Sequence, residues 1–248
     1  MCAVLLLNSA CNQTKQDVVV NDKKQVENTN ASNTVPGTPA KTSSPTTSAP
    51  KDIAGKYSIN GTNENGGGTY EGTLDVTKHD EVYQLSWDTA GKKYDGVGVE
   101  NGNTMAAAFA DGANGKGCGV VLYKIDANGT LDGKAGYWGV NKSESEKATR
   151  TGGSDLVGEY DVKGKNTDGA DYNVKLSVKS SGAGYTFSWT GNPAFEGFGI
   201  RQGDTVAVGI GGKQCGFVSY VVKPDGTLDG KWGGYGSTQV GTETAKKK

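Results

Sequence analysis

The chain has 248 residues, of which 40 are glycine, and its formal net charge is −1. This near-neutral charge excludes the strongly basic surface with which proteins bind nucleic acids, so no nucleic-acid partner is expected. The glycines follow no Gly-X-Y period, which excludes collagen. Glycine mixed with valine, tyrosine, threonine and tryptophan is instead typical of short strands joined by tight turns.

The chain begins with a short apolar run that ends in small residues directly before Cys11. This arrangement resembles the end of a bacterial lipoprotein signal peptide, in which the cysteine is lipidated and becomes the mature N-terminus. The run is far shorter than the ~20 residues of a membrane-spanning helix. We therefore expect residues 1–10 to be a signal peptide remnant. We expect the lipid on Cys11 to anchor an exported protein to a bacterial outer membrane or cell surface.

Residues 11–51 have the composition of a linker. All aromatic residues lie between Tyr57 and Tyr235, and from Gln25 to Lys51 the chain is mostly Asn, Thr, Ser, Pro, Ala and Lys. Such a segment cannot bury enough apolar area to offset the entropy lost on ordering. It is predicted to be a disordered tether between the anchor and the folded part of the protein.

The rest of the chain contains one framework twice, over residues 52–149 and residues 155–246. The hexamer Gly-Thr-Leu-Asp-Gly-Lys begins at Gly129 and returns unchanged at Gly226. Gly-x-Tyr, Tyr-x-x-x-Trp, Gly-x-Gly and Cys-Gly motifs precede it in the same order in both copies. The sequence therefore predicts a tandem duplication of one small unit.

Each copy shows the alternation of short strands. Apolar and polar residues alternate in Tyr83–Trp87 and again in Tyr185–Trp189, which predicts half-buried strands. Asn-Gly and Asp-Gly pairs mark the turns, so about six to eight antiparallel strands are expected in each copy. Only residues 143–150 have any helical character, and a helical turn or a linker is expected there.

A meander of this size has to cover its edge strands, either by closing into a barrel or by packing sheet on sheet. The glycine pairs Gly96/Gly98 and Gly197/Gly199 favour strongly coiled strands. We therefore predict an all-β protein, a tandem duplication of a small antiparallel meander that is barrel-like in each copy. A sandwich of paired sheets is the alternative, and closure of both copies into one larger barrel is a third arrangement.

Oxygen-bearing side chains alternate in the first copy as they do in a calcium loop: Asp126, Asn128, Thr130 and Asp132. In the second copy Lys223 replaces the first of these residues, Asp126. In the first copy the loop has Tyr137 at the position where a calcium loop has its final glutamate. The segment is therefore interpreted as a hairpin turn, and neither a metal ion nor another cofactor is expected.

Cys118 and Cys215 occupy equivalent positions in the two copies. An exported protein can oxidise them, and a bond between them would join the copies. The competing interpretation is two separately buried small side chains. The lone histidine, His79, has no histidine counterpart in the second copy. We therefore expect no zinc site, no catalytic triad and no catalytic residue.

The aromatic residues are the best candidates for binding. Trp87 and Trp189 follow the strand alternation and are predicted to lie in the core. The candidates for an exposed ligand platform are the aromatics that lie in glycine-rich surroundings: Tyr137, Trp138, Trp232 and Tyr235. Such rings can bind sugars, peptides or protein surfaces. The competing interpretation is that they pack against glycines of neighbouring strands.

With these motifs in order, each copy resembles a small β domain of bacterial exported proteins, some of which are labelled fibronectin-binding. The resemblance covers residues 52–245 and transfers no binding residue, because its motifs are glycine, tryptophan and turn residues. We expect a non-enzymatic, adhesin-like envelope lipoprotein that binds an extracellular protein or glycan, such as the host matrix protein fibronectin. An envelope spacer without a soluble ligand is the alternative, and a hydrolase is a third.

Overall fold

The computed structural model describes residues 52–112, 115, 117–191 and 193–248. Over these residues the protein is all-β, with sixteen strands and one 3-10 turn at Glu64–Gly66. The strands are β1 Gly55–Thr62, β2 Thr69–His79, β3 Val82–Thr89, β4 Lys92–Asn101, β5 Thr104–Asp111, β6 Gly119–Ile125, β7 Leu131–Tyr137, β8 Glu144–Ser154, β9 Val157–Lys165, β10 Asp171–Ser181, β11 Gly184–Thr190, β12 Phe195–Gln202, β13 Thr205–Ile210, β14 Gly216–Val222, β15 Leu228–Gly233 and β16 Gly241–Lys247.

The predicted signal peptide remnant, the lipidated Cys11 and the linker lie outside the described residues. Within the described part of the chain, no helix has the length and apolar character needed to cross a bilayer.

The strands close into two antiparallel barrels of eight strands each, so the prediction of two small barrels is confirmed. The wall of barrel I runs β1-β16-β15-β14-β5-β4-β3-β2, and that of barrel II runs β10-β11-β12-β13-β6-β7-β8-β9. Each barrel thus combines five strands of one sequence copy with three of the other. The expectation that each copy closes into its own barrel is therefore wrong. The chain crosses from barrel I to barrel II between β5 and β6, and it returns between β13 and β14.

The expectation of a helical turn or a linker at residues 143–150 is wrong, because residues 144–150 belong to strand β8. Glu146 and Ala148 are buried, and the residues between and beside them, such as Lys147, are exposed. This is the period-two pattern of a strand. The pattern was obscured in the sequence because one of its inward positions is a glutamate, a residue that is rarely buried.

One end of each barrel is sealed by an aliphatic residue that precedes the first strand of a sequence copy, β1 in barrel I and β9 in barrel II. Ile53 closes barrel I and Leu156 closes barrel II, and both are almost fully buried. The Tyr57 hydroxyl donates a hydrogen bond to the Ile53 carbonyl (2.7 Å). The Tyr160 hydroxyl does the same to the Leu156 carbonyl (2.8 Å). The tyrosine of each Gly-x-Tyr motif therefore fixes the closed end of its barrel.

Glycines in the wall permit the close approach of neighbouring strands that a narrow barrel requires. A Cβ at Gly96 would lie 2.4 Å from the carbonyl oxygen of Ala108, and a Cβ at Gly199 would lie 2.1 Å from that of Ala207. No side chain fits at such distances. The predicted link between the Gly-x-Gly motifs and strong coiling of the strands therefore has a steric basis.

An apolar layer joins the two barrels. It is formed by outward-facing side chains that are nevertheless buried, among them Val97, Val99, Ala106, Val120, Leu122 and Ala207. At one side of this layer the rings of Phe198 and Phe217 pack with their centroids 5.8 Å apart. The central parts of the outer surfaces of β4–β6 and β12–β14 are thus interior to the whole protein.

Cys118 and Cys215 are joined by a disulfide bond. Cys118 immediately precedes β6 and Cys215 immediately precedes β14, so the bond links the two segments at which the chain passes between barrels. Of the two interpretations that the sequence left open, the disulfide across the copies is the one found.

The duplicated hexamer follows the same turn in both copies. The side chain of Asn128 accepts a hydrogen bond from the Thr130 amide (3.0 Å), and that of Asp225 accepts one from the Thr227 amide (2.9 Å). Among the described residues, no group of His, Cys, Asp and Glu side chains could hold a metal ion. Asn128 and Asp225 therefore stabilise the turn in their respective copies.

Candidate ligand-binding pockets, each with a buried glutamate

Each barrel contains a cavity with a buried glutamate at its inner end. In barrel I this residue is Glu243 on β16, with 4% of its surface exposed, and in barrel II it is Glu146 on β8, with 7% exposed. The two residues occupy equivalent positions in the two sequence copies. Carboxylates are rarely buried to this degree unless they are paired or hydrogen-bonded.

Three aromatic side chains donate hydrogen bonds to Glu243. The Tyr70 hydroxyl donates to Oε2 (2.8 Å), and the Trp87 indole donates to Oε1 (3.1 Å). The Tyr220 hydroxyl also donates to Oε1. Tyr70 and Trp87 belong to the first sequence copy, whereas Tyr220 and Glu243 belong to the second. The exchange of strands between the copies therefore assembles this site.

Barrel II repeats the arrangement around Glu146. The hydroxyls of Tyr123 and Tyr172 donate to its two carboxylate oxygens, the latter at 2.8 Å. The indole N–H of Trp189 interacts with the same carboxylate. These residues are the counterparts of Tyr220, Tyr70 and Trp87 in the other barrel, and here too they come from both copies.

The second glycine of the duplicated hexamer gives a site tyrosine its space. Gly230 lies across from Tyr220 on the neighbouring strand, and a Cβ there would come within 2.5 Å of the tyrosine ring. Gly133 lies across from Tyr123, with a corresponding distance of 2.7 Å. The other two tyrosines also lie over glycines, Gly61 beneath Tyr70 and Gly164 beneath Tyr172. The hexamer therefore serves the pocket as well as the turn.

Burial dominates the electrostatics of both sites. It raises the pKa of Glu243 and Glu146 above the ordinary range of a glutamate, and the donated hydrogen bonds only partly oppose this effect. Burial and the adjacent carboxylate raise the pKa of Tyr220 and Tyr123 well above the usual value. The hydroxyls therefore remain protonated and act as donors.

The cavity of barrel I is small and aromatic, with a volume of about 260 Å³. Its aromatic walls are formed by Tyr70, Trp87, Tyr94, Phe109, Tyr220 and Trp232. The ring of Phe109 lies 5.4 Å from that of Trp87 and 6.2 Å from that of Trp232. Glu243 at the inner end and Lys92 at the rim are the charged residues among the described lining.

The cavity of barrel II is larger, about 550 Å³. Ala135 stands where barrel I has Trp232, and Ile210 stands where it has Phe109, so less of the interior is filled. A second carboxylate, Glu144, lines this cavity together with Tyr137. Burial raises the pKa of Glu144, and the nearby Glu146 adds to this shift.

The four aromatic residues proposed as a ligand platform do not lie together. Trp232 lines the cavity of barrel I, and Tyr137 lines that of barrel II. Trp138 packs in the apolar layer between the barrels. Tyr235 is 47% exposed and lies elsewhere, against Phe198.

Trp87 and Trp189 are buried, each with 6% of its surface exposed. They also line the two cavities, so their core position and a binding role are compatible.

Sequence reasoning missed the two central glutamates. The duplication is the signal that could have identified them, because Glu146 recurs in the second copy as Glu243, whereas Glu100 is replaced by Arg201. An acidic residue that recurs along with two tyrosines and a tryptophan is a better candidate than one that does not.

No protein-family model, curated protein or solved structure matches this chain. The resemblance to domains labelled fibronectin-binding therefore stays a prediction.

Proposed function

We propose that this protein is a non-enzymatic, exported lipoprotein whose two barrels each bind a small molecule with an apolar body and a polar head. The observation that carries the proposal is a repeated arrangement. In each barrel a glutamate, two tyrosines and a tryptophan form the inner end of a cavity, although the remaining walls of the two cavities differ.

Stability alone gives no reason for this arrangement. A buried carboxylate loses its hydration, and replacing buried charged groups by apolar residues of similar volume is often neutral or stabilising. A barrel that served only as a spacer would gain from filling its interior with aliphatic side chains. Both barrels instead keep a polar cluster beside open volume, which is the composition of a ligand pocket.

The position of the tether is compatible with binding. The described chain enters barrel I next to Ile53, at the closed end of the barrel, whereas the cavity lies beyond the other end of β1, near Asn63. The predicted lipid on Cys11 would therefore be attached through the end of barrel I that is opposite the mouth of this cavity.

A second candidate function is attachment to an extracellular protein or glycan, for which fibronectin is the expected example. The observation that favours it is the exposed ring of Tyr235, which lies against Phe198 and 5.4 Å from the ammonium group of Lys213. An exposed aromatic residue beside a cation is a common element of protein-binding surfaces.

Thermal unfolding of the full chain tests the first candidate against the spacer alternative. The compounds are phenethylamine, phenethyl alcohol and phenylacetate, which share an apolar body and differ in the head. A ligand present at 100 times its dissociation constant should stabilise the fold by about 2.7 kcal/mol. A Tyr235→Ala variant should respond like the wild type, because Tyr235 lines neither cavity. Absence of a shift with all three compounds would contradict small-molecule binding.

A further inference from the structure

The inner end of each cavity offers a ligand hydrogen-bond acceptors, because its donors are already used. In barrel II the hydroxyl protons of Tyr123 and Tyr172 and the indole N–H of Trp189 are directed at Glu146. A tyrosine hydroxyl carries one proton and an indole carries one N–H. What remains for a ligand is the spare lone pairs of the carboxylate and of the phenolic oxygens. A head group that binds here has to be a donor.

The charge of the lining points in the same direction. Two carboxylates, Glu144 and Glu146, line the cavity of barrel II, and no lysine or arginine is present among its described lining residues. Among the described lining residues of the barrel I cavity, the only lysine or arginine is Lys92, which is exposed at the rim. A buried carboxylate is stabilised by a positive partner, and the faces of aromatic rings attract cations.

We propose that both pockets bind organic cations, with a protonated amine that donates hydrogen bonds to Glu146 in barrel II and to Glu243 in barrel I. The apolar body of the ligand lies against the aromatic walls, chiefly Trp189 in barrel II and Trp87 in barrel I. This inference rests on the proposed function and specifies its ligand class. An anionic head, or one that can only accept hydrogen bonds, does not fit either pocket.

The two pockets should differ in the number of amines they recognise. Glu144 and Glu146 are two residues apart on one face of β8, which places their Cα atoms roughly 6.6 Å apart at the ~3.3 Å rise of a strand. Barrel I has Gly241 at the position of Glu144, and therefore one carboxylate. A diamine with a short alkyl chain can engage both acids of barrel II, whereas barrel I suits a monoamine.

Isothermal titration calorimetry of the full chain tests this proposal. The amine probes are phenethylamine and putrescine, and their neutral counterparts are phenethyl alcohol and butanediol. Each amine should bind at least about tenfold more tightly than its alcohol, since the alcohol can donate a hydrogen bond to the glutamate but carries no positive charge to pair with it. Phenethylamine should occupy both barrels, and putrescine should favour barrel II.

Glutamine variants identify the groups responsible. Glu146→Gln keeps the shape of the side chain and should weaken binding of both amines in barrel II by about tenfold or more. Glu144→Gln should weaken the binding of putrescine more than the binding of phenethylamine. Glu71→Gln, an exposed position on β2, is the matched control and should bind like the wild type. Glu243→Gln provides the same test in barrel I, independently of how well the barrel II variants fold.

The outcomes separate this inference from the broader function. Alcohols that bind as tightly as the amines would overturn the cation proposal and leave small-molecule binding intact. Wild-type amine affinity in both Glu146→Gln and Glu243→Gln would also overturn the cation proposal. Binding of phenylacetate in place of phenethylamine would overturn it as well. No binding of any amine, alcohol or acid probe would overturn both.

Discussion

Trp232 in barrel I lies directly across from Gly241 on the neighbouring strand, and a Cβ at Gly241 would come within 2.5 Å of the indole nitrogen. The equivalent cross-strand pair in barrel II is Ala135 and Glu144. One barrel therefore pairs a large ring with a glycine, and the other pairs a small side chain with a carboxylate. This difference between the two residue pairs contributes to the difference in volume between the cavities, about 260 Å³ in barrel I and about 550 Å³ in barrel II. It also provides the second carboxylate of barrel II.

Introducing the barrel I pair into barrel II should remove the preference of barrel II for the diamine. In an Ala135→Trp, Glu144→Gly variant, barrel II loses volume and its second carboxylate, and it should bind putrescine more weakly. The reverse exchange is sterically blocked, because a Cβ at Gly241 would lie 2.4 Å from the carbonyl oxygen of Thr62. Calorimetric titration measures the affinity for putrescine. Unchanged putrescine binding in the variant would show that this pair does not set specificity.

The buried glutamates should make the protein less stable as pH rises. Their pKa is raised in the folded state, so the folded protein binds protons more tightly than the unfolded chain. Their contribution to stability is complete below the ordinary glutamate pKa of about 4.3 and is lost as pH rises through the raised pKa. The loss is about 1.4 kcal/mol for each unit of pKa shift at each site.

Urea unfolding between about pH 4 and pH 7 measures this effect. The site tyrosines do not titrate in this range, because the ordinary tyrosine pKa of about 10 already lies above it and theirs is raised further. The pKa of Glu144 is raised, as is that of Glu146. A Glu146→Gln, Glu243→Gln double variant should therefore show a shallower pH dependence than the wild type. An equally steep decline in the double variant would contradict this explanation.

The hexamer glycine beneath each site tyrosine should not tolerate a side chain. In Gly230→Ala the new Cβ would lie 2.5 Å from the Tyr220 ring, so the ring has to move away from Glu243. We expect a loss of about 1–3 kcal/mol in unfolding free energy, as for overpacking elsewhere, together with weaker ligand binding. Gly234→Ala is the control, because nothing lies within 4 Å of the position of its Cβ. Equal stability of the two variants would refute this steric account.

Loss of the disulfide should destabilise the protein without removing its barrels. Cys118 and Cys215 are separated by 97 residues, so their bond restricts a long loop of the unfolded chain. A Cys118→Ser, Cys215→Ser variant should lose about 2–4 kcal/mol in unfolding free energy and keep its β circular dichroism spectrum. Reductant should destabilise the wild type and leave the variant unaffected. Equal sensitivity of both proteins to reductant would argue against this bond.

The barrels could be predicted from the sequence because their determinants are local. Period-two alternation, turn dipeptides and the Gly96/Gly98 pair each act over a few residues. The exchange of strands between the two copies could not be predicted in this way. β6 and β14 are equivalent strands, so either of them satisfies the local sequence pattern beside β5. That choice depends on the apolar layer between the barrels, which no short segment specifies.

The site was only partly predictable for a related reason. Trp232 and Tyr137 were identified as binding candidates from their glycine-rich surroundings, and both line cavities. Trp138 and Tyr235 have similar surroundings but point elsewhere. Glu146 and Glu243 were missed because an isolated glutamate in a strand is usually solvent-exposed. Their burial depends on tyrosines that come from distant strands.

The most direct test of the central claim is the number of phenethylamine molecules bound per chain. Calorimetry should give two sites of similar affinity for the full chain. Glu146→Gln and Glu243→Gln should each keep one site of that affinity and weaken the other by about tenfold or more. The double variant should keep no site of wild-type affinity. Two sites of unchanged affinity in the double variant, or no binding to the wild type, would contradict the claim that each barrel is a pocket built on its buried glutamate.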